Sequence, residues 1–226
     1  KNGLPVSYGG MWVFGNRTKV GFNVFEPYRG GESGYLLCQL LRVYKQLFNI
    51  SYFEVEPFQF GADNEDAIAS GAFWFYYRFG FRPVDKEICK QAELEQQKIK
   101  SRKNYRSSAK TLVGFTGCNI ALNLGKDIPA DVIEISTQVL NCIIKDWKNN
   151  YQHAHKQAVE SFCKHIQLNI NSLSAMEIKI MEDLALWAMA MQVTNKQKLQ
   201  LMKQMVFTST TDIYAYQDLL RKFFKK

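Results

Sequence analysis

The most ordered pattern of apolar and polar positions lies between Lys19 and Phe48, KVGFNVFEPYRGGESGYLLCQLLRVYKQLF. Lys19 to Phe25 predicts a strand, Glu26 to Gly34 a tight glycine-bearing turn, and Tyr35 to Phe48 a helix. Within the helix Leu36, Leu37, Leu40, Leu41, Tyr44 and Phe48 recur at three- and four-residue steps, the spacing of one buried face. Gly30, Gly31 and Gly34 stand where backbone must turn sharply or pass close to something. A strand that runs through such a turn into a helix leaves unpaired N–H groups and a positive dipole end pointing one way. That is a site for an anion, most often phosphate. A plain strand-to-helix turn, with glycines serving geometry alone, would read the same.

The flanking pattern extends this element. Residues 8 to 14 and 19 to 25 are short apolar runs around Gly15-Asn16-Arg17-Thr18, which predicts a hairpin. Ile50 to Val55 predicts a strand closed by Pro57, so strand, loop, helix and strand form a parallel pair with a right-handed crossover. Glu65 to Phe79 predicts one helix, with Asn64 as N-cap and Gly80 just past the C-terminus. Phe81 to Val84 starts another strand, and Lys86 to Arg106 is a polar helix. Lys110 to Leu124 has strand-like patches of mixed periodicity, and Ile128-Pro129 marks a break. Beyond it, helical spacing runs through Ala130–Trp147, Tyr151–Leu168, Ser174–Val193, Asn195–Phe207 and Asp212–Phe224, a helical bundle. The predicted class is α+β: a sheet domain over residues 1–110, then a mainly helical region over 111–226.

Charge sharpens that division. The net +8 of the 226 residues lies entirely beyond Asp85, because residues 1–85 carry eight basic and eight acidic side chains. Lys98 to Arg106 is basic and could meet nucleic-acid phosphates, but it holds one tyrosine and no recognised binding motif, and a solvated helix face reads better. No apolar run approaches the length of a membrane span. Five widely spaced cysteines without a CxxC pair (Cys38, Cys89, Cys118, Cys142, Cys163) argue against a disulfide framework or zinc site, and for a reducing, cytoplasmic setting. His153 and His155, two apart on a helix, point to different faces, so no metal site is expected. The methionines from Met176 to Met205 fall on core spacing. The abrupt start without Met suggests a fragment or a processed chain.

Strand, Arg-Gly loop and helix, then a second strand and a helix ending in Tyr-x-x-x-Gly-Phe, resembles the GNAT superfamily of acyl-CoA N-acyltransferases over residues 8–85. The family loop reads Gln/Arg-x-x-Gly-x-Gly/Ala. Arg29 and Gly34 supply its first and last positions, and Glu32 stands at the middle glycine. Ala72, Phe75, Tyr76, Gly80 and Phe81 match the helix motif. The family asparagine falls at Ala69 by register, with Asn64 five residues earlier. The strand and two helices that precede the hairpin in the family are missing. A longer chain, the C-terminal helices or a partner chain, such as a second copy in a homodimer, would have to supply them.

The resemblance implies acetyl-CoA or another acyl-CoA as cofactor and an amine-bearing acceptor as partner. Phe25, Arg29, Gly30, Gly31, Ser33 and Gly34 would bind the cofactor, whose thioester would lie where the strand ending near Phe25 parts from the strand of Ile50–Val55. Tyr76 would protonate the departing thiolate. Glu54 and Glu56 alternate with Phe53 and Val55 on one strand face, and Glu26 ends the other strand. Each could deprotonate the amine directly or through water. A second possibility is a fold of this type that no longer binds CoA and works as a binding or scaffold module through its basic helical half.

Overall fold

Reversing a strand within two residues takes backbone that most side chains resist, and Gly15 supplies it with a φ of +60°. Gly15 and Asn16 thus join β1 (Ser7–Phe14) to β2 (Arg17–Val24), a tighter turn than the four-residue link predicted. This computed structural model describes residues 3–225; residues 1, 2 and 226, the outermost ends of the two predicted regions, lie outside the described part. Two compact units emerge, one ending at Ile128 and one starting at Pro129.

In the first unit β2 leads through a short 3-10 turn at Glu26–Tyr28 into α1 (Ser33–Phe48), which ends on the left-handed Asn49. The chain returns as β3 (Tyr52–Val55), parallel to β2 as the crossover requires. The apolar spacing of α1 does what it predicts: Leu37 and Leu41 are buried, with Leu40, Tyr44 and Phe48 packed around them.

The predicted helix over 65–79 is two helices, α2 (Glu65–Ser70) and α3 (Ala72–Arg78). Gly71, at φ +68°, takes the left-handed conformation between them, so the hydrophobic spacing continues while the helix axis does not. Asn64 caps α2 as expected, accepting from the Ala67 N–H at 3.1 Å. Then come β4 (Arg82–Pro83), α4 (Lys86–Ser101), α5 (Ala109–Gly114) and β5 (Ile120–Asn123). β5 is antiparallel to both β3 and β4, which completes a five-stranded mixed sheet of order β1-β2-β3-β5-β4. The sheet-bearing unit therefore runs on past residue 110, because the segment of mixed periodicity supplies a strand from its interior.

One sheet face holds the core. Phe53, Val55 and Ile120 are sealed there with Phe73, Tyr76, Phe81 and Phe115, an aromatic cluster joined through edge contacts such as Tyr76–Phe81 at 5.6 Å.

The second unit is helical: α6 (Val132–Trp147), α7 (Tyr151–Ile166), α8 (Ala175–Ala190), α9 (Lys196–Thr211) and α10 (Ile213–Phe224). α8 packs against α6, α7 and α9 and buries a continuous run from Leu184 to Ala188. Met181, Met202 and Met205 fill this core as their spacing predicts, whereas Met176 and Met191 are exposed. The class is α+β with a C-terminal helical region. No helix among the described residues is long and apolar enough to cross a membrane.

Candidate functional site

The loop from Phe25 to Gly34 is held by its own backbone. Phe25 donates to the Val6 carbonyl at 3.0 Å, Tyr28 to Phe25 at 2.8 Å and Ser33 to Gly30 at 3.0 Å. The Ser33 hydroxyl accepts the Gly30 N–H at 3.2 Å, so the serine braces the turn. Gly30, at φ +135°, needs to be glycine for conformation alone. Arg29 lays its Nε on the Val24 carbonyl at 3.1 Å, which fixes the guanidinium at the end of β2. Its terminal nitrogens have no partner among the described residues.

α1 begins without a side-chain cap. Its N-cap residue, Glu32, is in the right-handed helical conformation, and its side chain bonds no N–H of the first turn. All the other α-helices except α3 have an Asn, Asp or Ser that does so. The backbone N–H groups of Gly31, Gly34 and Tyr35 have no acceptor among the described residues. A cleft of about 440 Å³ opens here, lined by Leu4 and Val6 on one side and Pro27, Tyr28, Arg29, Gly31, Glu32 and Leu36 on the other. Arg29, Gly31 and Glu32 line this cleft together, a guanidinium and an open N–H beside a carboxylate, next to the N-terminal, positive end of the α1 dipole.

One neighbour of this loop was invisible in its sequence. The ring of Phe79, at the end of α3, fills the space next to Gly34, where an added Cβ would lie 2.5 Å from its Cζ. Gly34 is thus required by a side chain. Gly31, with nothing within 4 Å of an added Cβ, is open on its free side. Pro27, Tyr28 and Leu36 line the cleft as well, for which the Glu26–Gly34 turn gave no chemical signal.

β2 and β3 pair over three positions only, Arg17 to Lys19 against Tyr52 to Glu54. β2 continues five residues further beside β1 alone, and β3 stops at Val55, so the two strands part beyond Lys19. Val20 and Val55, just past the last pairing, belong to the same buried cluster as Tyr76. Tyr76 is 3 % exposed, and burial pushes its hydroxyl up to about 12. That hydroxyl has no hydrogen-bond partner among the described residues, yet it is not sealed from solvent. It stays protonated across the physiological range, as a proton donor must.

The three carboxylates fare differently. Glu54 is buried and fully engaged: Arg17 reaches Oε2 through two nitrogens, at 2.7 and 3.2 Å, and Asn119 donates to Oε1 at 2.9 Å. Arg17 in turn lies 4.9 Å over the Tyr52 ring. Glu56 makes an exposed ion pair with Lys19 at 2.6 Å. Arg17 and Lys19 alternate along β2 as Glu54 and Glu56 do along β3, so both pairs lie on one face, the face opposite Phe53 and Val55. The buried pair orders the sheet and occupies three of the roughly four lone-pair sites of the Glu54 carboxylate. Glu26, exposed in the 3-10 turn, is the carboxylate of the three that no described residue engages.

In the helical unit His153 meets Trp147 edge to face, ring centres 5.2 Å apart, and His155 faces Glu182 at 3.7 Å. No family model, curated protein or solved structure matches the chain.

Proposed function

We propose that the sheet-bearing unit transfers an acyl group from an acyl-CoA to an amine, as the GNAT resemblance implies. The observation that carries this reading is the uncapped start of α1. The N–H groups of Gly31, Gly34 and Tyr35 and the terminal nitrogens of Arg29 offer donors to a pyrophosphate. Two further features support it: the parting of β2 from β3 beyond Lys19, and Tyr76, buried in the same cluster as Val20 and Val55 with its proton held to about pH 12. Acyl-CoA supplies the activated acyl group. The chain's part is to hold the phosphates on the loop and to keep a proton on Tyr76 Oη. Of the candidate bases, Glu26, which no described residue engages, and the exposed Glu56 remain, acting through water; Glu54 has the structural task described above.

A cytoplasmic setting belongs to the same reading and is supported by five unpaired thiols. Calorimetric titration with acetyl-CoA tests the whole. Binding that weakens about tenfold or more in Arg29→Ala is expected for a lost charge-assisted contact. Absence of heat at millimolar acetyl-CoA would reject the reading.

A binding or scaffold module of the same architecture is favoured by one observation: an acidic residue, Glu32, is at the helix start and lines the cleft where the anion would lie. It predicts a folded protein indifferent to acetyl-CoA.

A further inference from the structure

β1 is the outer strand of the sheet, paired with β2 alone. The Phe25 N–H bonds the Val6 carbonyl at 3.0 Å, which makes Val6 and Phe25 a hydrogen-bonded pair of the antiparallel ladder. Such pairs recur at every second residue. Tyr8, Gly10, Trp12 and Phe14 therefore turn their backbone groups toward β2, in keeping with the Trp12 carbonyl also accepting the Thr18 hydroxyl at 3.1 Å. The N–H and C=O groups of Ser7, Gly9, Met11 and Val13 point the other way, to an edge where no described strand pairs with them.

Sheet edges are normally blunted by Lys, Pro, a bulge or shortness. Ser7–Phe14, SYGGMWVF, has none of these. It is eight residues long, carries no charge, and matches β2 one residue to one throughout. Tyr8 and Trp12 project from it 62 % and 70 % exposed.

We propose that this edge pairs with the same edge of a second copy, antiparallel about a two-fold axis at Gly10, to give one continuous sheet across a homodimer. Four properties of the edge choose a second copy and this register. Ser7 then faces Val13 of the other copy and Gly9 faces Met11, so every outward N–H and C=O finds a partner. Tyr8 lies opposite Trp12 in the close, non-hydrogen-bonded positions, which makes two aromatic cross-strand pairs. Gly10 meets Gly10 on the axis, with nothing within 4 Å of an added Cβ to obstruct approach. A neutral strand sets no like charges against each other when it pairs with itself, and offers a charged peptide nothing to recognise. A single strand pair buries less than the roughly 1,200 Å² of a standard interface, so a micromolar dimer is expected.

Sedimentation velocity on the whole chain from about 1 to about 500 μM, a range bracketing micromolar affinity, should show monomer passing to dimer. Gly10→Lys and Gly10→Glu should each stay monomeric at the top of that range with an unchanged melting temperature, because like charges then meet on the axis. Their equimolar mixture should dimerise again. In the unaltered protein the amides of Ser7, Gly9, Met11 and Val13 should gain hydrogen-exchange protection only where dimer forms, which decides the matter even if a variant fails to fold. A monomer throughout the range, a dimer indifferent to both charges, or protection of those four amides in the monomer would overturn the proposal. The last outcome would mean that residues of the same chain cover the edge.

Discussion

Gly34 and Phe79 share one space: the edge of the phenylalanine ring stands 2.5 Å from where a Cβ on residue 34 would sit, so the first turn of α1 and the last of α3 interlock. A glycine that a phosphate loop would need for close approach is here needed by a ring. Gly34→Ala should cost about 1–3 kcal/mol by overpacking, despite alanine's better helix propensity. Phe79→Leu should recover most of that loss in the double variant. Urea unfolding of the four proteins measures the coupling, and additive effects would show that the ring swings aside freely.

The Arg17–Glu54 pair gives a second test. Both side chains are almost wholly buried, and Asn119 completes the carboxylate's bonding. Arg17→Met leaves a buried charge with no counter-ion and should cost about 3–5 kcal/mol, whereas Arg17→Met with Glu54→Leu should cost much less. If Glu54 also deprotonated an amine, Glu54→Gln would abolish turnover even at temperatures where the destabilised variant is still folded. Melting curves and acetyl transfer measured side by side separate the two roles.

These two relationships also mark what the sequence could and could not reveal. The hairpin, the parallel β2–β3 pair, α1 and the five C-terminal helices were legible because each shows its own period, two or 3.6, over enough residues. The break at Gly71 was not, since Ile68, Ala72 and Phe75 keep helical spacing across a left-handed residue. β5 was not, because four residues inside a segment of short elements carry too little period. The candidate loop was legible in Arg29, Gly30 and Ser33, whose tasks are local. What surrounds it was not: Phe79 lies forty-five positions from Gly34, and Asn119 sixty-five from Glu54. Spacing along a chain says nothing about partners that only the fold brings together.

Glu32 offers a prediction with opposed signs. At the start of α1 its carboxylate favours the helix dipole, so Glu32→Gln should lower stability by a few tenths of a kcal/mol, up to about 1. The same change removes a negative charge from the cleft beside Arg29 and should tighten acetyl-CoA binding, or binding of inorganic pyrophosphate. Calorimetry at low salt reads the affinity, where surface charges are least screened. Weaker or unchanged binding would remove the loop from phosphate recognition.

Tyr76 separates catalysis from packing. Its hydroxyl has no described partner, so Tyr76→Phe breaks no hydrogen bond and should leave the melting temperature at neutral pH within a degree or two. If the hydroxyl protonates a leaving thiolate, turnover should nevertheless fall about 10²–10⁴-fold. Alkaline pH supplies an independent check that needs no substrate. The folded value is raised from 10.0 to about 12 by burial, so the native state holds this proton more tightly than the unfolded chain does. Its contribution is fully present below pH 10 and is lost as pH rises through about 12. Over that interval the unaltered protein should lose about 2–3 kcal/mol relative to Tyr76→Phe, which has no phenol to ionise at that position. Parallel stability curves for the two proteins from pH 9 to 12 would show that the ring is not buried in solution. A large fall in turnover together with diverging curves would place a buried, protonated Tyr76 in the reaction.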